Sequence, residues 1–116
     1  MKRVQFYVCP ACGNLLTATA SGELSCCGRR LGPLRPAEPD DGHRPEIVRI
    51  EEEDYITFPH VMQKEHYLKF AAYATCDRLL LVRLYPEQDA AVRFPRMGGG
   101  TLYFYCTEHG FFKQKI

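Results

Sequence analysis

The sequence predicts a mainly β protein in which a small cysteine knuckle precedes a β-sandwich. Beyond residue 45 the chain is a series of short runs rich in β-branched and aromatic residues, separated by turn residues at the spacing typical of a sandwich. Four of the six cysteines fall between residues 9 and 27, in a segment too short to bury a core of its own. We therefore expect a bound metal to stabilise the first unit and hydrophobic packing to stabilise the second.

Three segments follow from this division of the 116 residues. Residues 1–34 form the predicted metal domain, and residues 46–116 form the predicted sandwich. Residues 35–45 between them contain prolines and a glycine without a periodic pattern, which is typical of a linker. His43 lies at the end of this linker, and we expect it to join a site on the second domain.

The first segment contains a cysteine knuckle between short strands. Residues 4–8 alternate like a strand and lead into CPACGN at residues 9–14, where glycine and asparagine permit a tight, partly left-handed turn. Residues 15–20 and 23–25 are predicted as strands joined by a hairpin turn at Ser21 and Gly22. Tetrahedral sulfur donors suit zinc and iron alike, so spacing alone leaves both metals open for this set: Cys9, Cys12, Cys26 and Cys27.

The second segment contains six predicted strands. A helix over residues 63–74 is the alternative to one of them, since His66, Phe70 and Tyr73 also fit a period of 3.6. We favour the strand because the flanking strands need partners in a sheet. The predicted strands cover residues 47–50, 55–58, 67–75, 79–85, 90–94 and 101–106.

The histidines indicate a second group of metal ligands. Three of the four histidines lie in two stretches, residues 60–67 and 106–110, and the second stretch also contains a cysteine. Imidazole and thiolate donors together suit iron, copper or zinc. A lone histidine in a loop is usually only solvated, but the grouping predicts one site, formed by His43, His60, His66, Cys106 and His109. Cys76 falls in a predicted turn and is expected to be a free thiol.

These stretches resemble a known family. The HRPEI stretch beginning at His43, the HVMQKEHY block beginning at His60 and the CTEHG block beginning at Cys106 are similar to the iron-binding segments of the superoxide reductase (neelaredoxin) family. FYVCPACGNLL near the N-terminus, together with Cys26 and Cys27, resembles the desulforedoxin-type domain of the two-iron members, the desulfoferrodoxins. The matches extend over nearly the whole chain.

The resemblance implies a fold, an activity and partners. The fold would be a desulforedoxin- or rubredoxin-like knuckle followed by an immunoglobulin-like sandwich. The activity would be superoxide reductase, the one-electron reduction of superoxide to hydrogen peroxide, at an Fe(His)4Cys centre formed by the five residues of the second group. The adjacent Cys26 and Cys27 resemble the ferric desulforedoxin centre and favour iron there, although zinc can replace it. Rubredoxin or a similar carrier is implied as electron donor, and the small first domain implies a homodimer.

Charge and motifs argue against other classes of function. The formal net charge is +1, with neither a basic stripe nor an acidic tail, so nucleic acid and membrane partners are not expected. The sequence shows no flavin or nicotinamide fingerprint, so electrons have to come from another protein. The apolar stretch after Met1, Lys2 and Arg3 is too short for a signal peptide. We therefore expect a cytoplasmic protein whose cysteines ligate metal rather than form disulfides.

The sequence departs from the family directly ahead of His43. The family usually has glutamate and then lysine there, whereas this chain has Asp41 and Gly42. The family's lysine lies beside the open face and attracts superoxide, so we expect slower reduction here with a weak dependence on salt, unless Arg44 or Lys64 supplies the charge. Two alternatives stay open: an electron-transfer or redox-sensing iron protein with weak or no reductase activity, and a binding module in which zinc stabilises the knuckle.

Overall fold

The computed structural model describes residues 4–116, which form eleven strands and contain no helix. No helix in this range is therefore long and apolar enough to span a membrane. Met1, Lys2 and Arg3, considered above as the start of a leader, lie outside the described residues. The mainly β fold class is confirmed. The strands are β1 (Gln5–Val8), β2 (Leu15–Ala18), β3 (Leu24–Cys26), β4 (Arg29–Leu31), β5 (Glu46–Ile50), β6 (Glu53–Thr57), β7 (Leu68–Ala74), β8 (Leu79–Arg83), β9 (Ala91–Pro95), β10 (Thr101–Cys106) and β11 (Gly110–Lys115).

The seven strands after residue 45 form the two sheets of a sandwich. One sheet has the order β11-β10-β7-β8 and the other β5-β6-β9, and all neighbouring strands are antiparallel. Burying a large apolar side chain contributes roughly 1.5–3 kcal/mol. Side chains from both sheets form one core, whose most buried members include Ile56, Tyr73, Phe94, Leu102 and Phe104.

Strand β7 decides between the two interpretations of residues 63–74. It pairs with β10 on one side and with β8 on the other, so it is a central strand and the helix alternative is wrong. Six of its seven residues are buried. Burial on both faces explains why this stretch lacks the alternation of a half-exposed strand.

The N-terminal knuckle consists of two separate hairpins. β1 pairs with β2 and β3 pairs with β4, whereas β2 and β3 belong to different sheets. The predicted hairpin turn at Ser21 and Gly22 is therefore wrong. The chain turns instead at Cys27 and Gly28, whose φ angles are 55° and 73°, and this turn leads directly into β4. Two consecutive positive φ angles suit the twist of a tight antiparallel hairpin.

Aromatic packing joins the knuckle to the sandwich. The Phe6 ring on β1 lies 5.5, 5.0 and 5.3 Å, between ring centroids, from those of Phe70, Tyr103 and Phe111. Aromatic pairs of this kind contribute about 0.5–1.5 kcal/mol beyond the area that they bury. The knuckle and the four-stranded sheet therefore share a small hydrophobic core of their own.

The predicted linker is tied to the edge of the four-stranded sheet. Just before it, the Leu34 amide donates to the Phe6 carbonyl at 2.8 Å. Ala37 then forms a parallel bridge with Phe112 on β11, and Pro39 is buried. These contacts hold residues 35–45 in place, and they bring His43 to one end of the sandwich.

Candidate metal centres

The five predicted ligands of the second group meet at one end of the sandwich. They come from the segment before β5, the loop between β6 and β7, the last residue of β10 and the turn between β10 and β11. Since β5 begins where β6 ends, and β7 and β11 begin where β10 ends, all these positions lie at one end of their sheets. Their donor atoms lie within 4.8 Å of one another, and we call this set the histidine–thiol group: His43, His60, His66, Cys106 and His109.

The Cys106 thiol is the donor on the core side of this group. Cys106 is fully buried in the sandwich core. Its Sγ lies 3.1 Å from Nε2 of His60, 3.2 Å from Nε2 of His66 and 3.4 Å from Nδ1 of His109. Two donors bound at right angles to one metal, with bonds of about 2.3 and 2.1 Å, lie about 3.1 Å apart. The observed distances therefore fit a thiolate and imidazoles on a shared metal.

The four imidazoles form a closed ring of neighbours. The centroid distances around it are 5.2 Å from His43 to His60, 4.7 Å from His60 to His66, 5.0 Å from His66 to His109 and 4.8 Å from His109 to His43. The four sides are nearly equal. Cys106 lies beneath in the core while His109 is exposed, so the other side of the ring borders solvent.

His43 tests whether the group fits a metal. Its ring is buried and stacks on Phe112 at 4.7 Å, and its Nδ1 donates to the Asp40 carboxylate at 2.7 Å. This hydrogen bond places the ring proton on Nδ1, so Nε2 keeps a lone pair with which it can bind a metal. Within residues 4–116 that buried Nε2 has no hydrogen-bond partner. Leaving a buried polar atom unpaired is costly, and a metal ion at this position would satisfy it.

His60 is held in the ligating form. Its Nδ1 donates to the Val61 carbonyl at 2.6 Å, which turns Nε2 towards Cys106. Partial burial lowers the pKa of His60, and the charges of the other histidines lower it further, while the bond to Val61 opposes the shift. A neutral imidazole with a free Nε2 is the form that binds a metal.

The four knuckle cysteines also come together, and we call them the four-thiol group. Their sulfur atoms lie within 4.8 Å of one another, with 3.5 Å between Cys12 and Cys26 and 3.9 Å between Cys26 and Cys27. A tetrahedron with metal–sulfur bonds of about 2.3 Å has sulfur–sulfur edges of about 3.8 Å. All six cysteines of the chain are free thiols. The spacing therefore fits a tetrathiolate metal site.

The turn geometry of the knuckle aims these thiols inward. The Gly13 amide donates to the Cys9 carbonyl at 2.8 Å, and Gly13 has a φ of 75°, which glycine adopts without strain. Cys27 has a positive φ as well, and for a residue with a side chain this costs about 1 kcal/mol or more. This strained conformation directs the Cys27 thiol, like that of the adjacent Cys26, towards the other two thiols of the group.

The thiols influence one another's pKa. The pKa of Cys9 is lowered to about 6, chiefly because the Cys12 backbone amide donates to its sulfur, while burial opposes the shift. The pKa of Cys27 is raised to about 12, chiefly by the Cys12 and Cys26 thiols beside it. Ionising one thiol thus makes ionisation of the next harder. A metal that binds all four has to displace protons from the others.

Comparison with known proteins identifies relatives over the whole chain. No protein-family model matches it. It is 23% identical over 123 residues to a desulfoferrodoxin from Syntrophotalea carbinolica, covering 98% of both chains. It is 32% identical over 57 residues to a desulfoferrodoxin from Clostridium acetobutylicum, a match that spans 49% of this chain and 46% of that relative. Over its whole length the chain is thus similar to desulfoferrodoxins.

A solved structure of similar shape supports the same fold. The superoxide reductase from Treponema pallidum superimposes with a TM-score of 0.85 at 19% sequence identity, covering 99% of this chain and 100% of the other. Similarity at this level of identity concerns the fold. The predicted arrangement, a cysteine knuckle followed by a β-sandwich, is confirmed.

The segment in which the chain departs from the family that it resembles is an exposed turn. Asp41 and Gly42 are both exposed, and a β-carbon on Gly42 would make only an ordinary contact, 3.5 Å from Asp40 Oδ1. Arg44 donates to the Pro39 carbonyl at 3.3 Å. Position 42 therefore has room for a longer side chain, and the Arg44 guanidinium is already engaged with the backbone.

Sequence reasoning missed Asp40, which has no place among the predicted ligands. A carboxylate three residues ahead of a candidate histidine was the available sign, because a histidine ligand usually donates its second ring nitrogen to a carboxylate or carbonyl. Cys76 is exposed in the turn between β7 and β8 and belongs to neither metal group. The expectation that it is a free thiol is confirmed.

Proposed function

We propose that this chain is a superoxide reductase whose reaction centre is the histidine–thiol group. The observation that supports this most is the closed ring of four imidazoles above a single buried thiol. Four donors in a ring with the fifth beneath it leave the solvent side open, and an open position distinguishes a reactive metal site from a structural one. We propose iron as the metal, held by His43, His60, His66, Cys106 and His109.

Iron bound there would supply the one-electron chemistry that, with two protons, converts superoxide to hydrogen peroxide. The residues of the chain prepare the site for it. Cys106 provides a strong anionic donor that the core keeps away from water. Asp40 and the Val61 carbonyl orient His43 and His60. The exposed side of the ring leaves a small anion a path to a metal held there.

For the four-thiol group we propose iron as well, with zinc as a substitute, in an accessory electron-transfer or folding role. Because the chain shows no organic redox cofactor motif, we propose that rubredoxin or a similar small protein supplies the electrons. We also propose a cytoplasmic location, where the six free thiols suit a reducing environment. A homodimer is proposed from the small core of the knuckle, and the mass of the metal-loaded protein in solution tests it.

Stoichiometry tests the proposed activity. Iron-loaded, reduced protein is mixed with superoxide, and hydrogen peroxide and dioxygen are both measured. A reductase yields one peroxide for each superoxide consumed and no dioxygen, whereas a dismutase yields half as much peroxide together with dioxygen. An electron carrier or redox sensor would leave the spontaneous decay of superoxide unchanged, and that result would exclude the proposal.

The exposed turn at Gly42 favours a modest rate over a fast one. No lysine occupies this position, so we expect Gly42→Lys to raise the second-order rate constant with superoxide several-fold and to steepen its fall with salt. Gly42→Met, which adds comparable bulk without charge, is the control. A wild-type rate already at the diffusion limit with a strong salt dependence would show that another cation, such as Lys64, guides the anion.

A further inference from the structure

Lys69 on β7 occupies an irregular position between the two metal groups. The pairing of β7 with β10 shifts register beside it: Tyr105 pairs with Phe70, and Cys106 pairs with Leu68. Lys69 is thus left without a partner on β10. Such a bulge re-aims the side chains around it. On β10 the bulge lies directly before Cys106, whose thiol belongs to the histidine–thiol group. On β7 it leaves the Lys69 side chain without a neighbour on β10, so this side chain can extend towards the knuckle.

The Lys69 side chain reaches the cysteine knuckle. Its Nζ lies 2.7 Å from the place where a β-carbon on residue 13 would stand. Gly13 lies in the CPACGN turn, immediately after Cys12. The glycine therefore meets two needs, since it adopts a φ of 75° and leaves space for the ammonium. A residue with a β-carbon would strain the backbone at this φ angle and would force the end of the Lys69 side chain to move.

The charge of Lys69 lacks a carboxylate partner. Among the ion pairs of residues 4–116, none involves Lys69. The side chain is half-buried, and this burial and the repulsion of Arg83 lower its pKa, while the ionised Cys12 thiol raises it. A partly desolvated cation needs a counter-charge. Cys12, the residue next to Gly13, is the member of the four-thiol group whose negative charge acts on this ammonium.

We propose that the Lys69 ammonium acts as a counter-charge to the four-thiol group. Its positive charge would raise the reduction potential of iron held by these thiols. Four thiolates carry one net negative charge with Fe(III) and two with Fe(II), because reduction adds one electron and no proton. A nearby cation therefore stabilises the reduced form more than the oxidised form. This proposal rests on the proposed iron in the knuckle and is independent of superoxide reduction at the histidine–thiol group.

The test compares potentials rather than activity. Iron-loaded Lys69→Met and wild-type protein are titrated with dithionite in the presence of mediators, and the visible absorption of the ferric tetrathiolate is followed. We expect the redox equilibrium constant of the four-thiol group to shift towards the oxidised form by three- to tenfold, where tenfold is about 59 mV for one electron. Lys69→Arg should restore most of the shift. Lys113→Met removes the same charge from an exposed position on β11 and should leave the potential unchanged.

Three outcomes of the potential titration would overturn the proposal. They are an unchanged potential in Lys69→Met, an equal shift in Lys113→Met, or a shift that Lys69→Arg does not reverse. Lys69→Gln, which keeps a polar tip beside Gly13, replaces the methionine variant if that variant does not fold. Zinc competition with a chelator gives a second reading, since a divalent tetrathiolate should bind several-fold more weakly without the cation. A knuckle that takes up zinc only would refute the iron assignment, while zinc affinities equal in all variants would refute the role of Lys69.

Discussion

The two metal groups differ in how the chain builds them. The four-thiol group comes from two tight turns within one short stretch, and backbone hydrogen bonds and positive φ angles shape it locally. The histidine–thiol group takes ligands from His43 to His109, and strands of both sheets have to pack before these ligands meet. A local group therefore depends on its metal for stability, whereas the distant group is positioned by the hydrophobic core. We expect the two groups to respond differently to mutation, acid and denaturant.

The largest effect is expected at the one thiol of the histidine–thiol group. Cys106→Ser removes the buried anionic donor, so we expect the thiolate charge-transfer band to vanish and superoxide reduction to fall by more than the roughly 100-fold that changes around a ligand can cause. The spectrum of the four-thiol group should persist, because its sulfur atoms belong to another part of the chain. Cys76→Ser is the matched control, since it changes an exposed thiol outside both groups. Retention of the band in Cys106→Ser would remove this residue from the site.

The second-largest effect is expected in how the metal affinity of each group depends on pH. The pKa of Cys26 is raised, chiefly by its contact with Cys12, and that of Cys27 is raised to about 12, so both hold protons at pH 7 to 8. Zinc binding to the knuckle then releases at least two protons, and its affinity should fall about a hundredfold per pH unit on acidification. His60 has a lowered pKa and releases none, so the histidine–thiol group should depend less steeply on pH. Chelator competition at pH 7 and 8 measures both slopes, and equal slopes would contradict the difference.

The contact between the two regions can be weakened at Phe6. This side chain is 1% exposed and packs on three aromatic rings of the sandwich. Phe6→Ala should lower the free energy of unfolding by about 3–5 kcal/mol, as measured by guanidinium unfolding of the metal-loaded protein. Leu81→Ala, at a side chain 40% exposed, should change it by less than about 1 kcal/mol. If Phe6→Ala costs no more than the control, the two regions do not stabilise each other.

A smaller effect is expected at Asp40, which orients His43. Asp40→Asn should weaken metal binding at the histidine–thiol group about tenfold, whereas Asp41→Asn should leave it unchanged. The hydrogen bond to His43 lowers the pKa of Asp40, so the contribution is complete at neutral pH and is lost as the pH falls through that lowered value. Metal competition across pH 3 to 7 measures it. Equal affinities for the two variants would show that Asp40 plays no part.

The sequence predicted what depends on residue type. Both candidate ligand sets could be named because the four histidines are few and most of the six cysteines fall in one short stretch, and the runs beyond residue 45 indicated the sandwich. The strand at β7 was predicted correctly, although its burial on both faces conceals the usual alternation. Residue type, spacing and the family resemblance thus named two sets of side chains, and the structure brings the donor atoms of each set within 4.8 Å of one another.

The sequence could not predict what depends on pairing. β4 begins with Arg29 and Arg30 and has no apolar pattern, so only its register with β3 reveals it. β11 follows directly on the turn that contains His109, and its first residue, Gly110, belongs to the CTEHG motif. The end of the chain was therefore interpreted as a metal-binding turn and not as a strand. The hairpin predicted at Ser21 and Gly22 failed because strand neighbours in sequence need not pair. The position of Lys69 beside the knuckle could not be predicted either, because it depends on a bulge where β7 and β10 shift register.

Whether four imidazoles and one thiolate share a single iron is tested most directly by X-ray absorption at the iron edge. The protein to use is a variant with Cys12→Ser and Cys27→Ser, loaded with one iron, so that only the histidine–thiol group can hold it. We expect one sulfur donor at about 2.3 Å and four nitrogen donors at about 2.1 Å. A shell without sulfur, or with nitrogen donors that do not decrease in His43→Ala, would contradict the site proposed here.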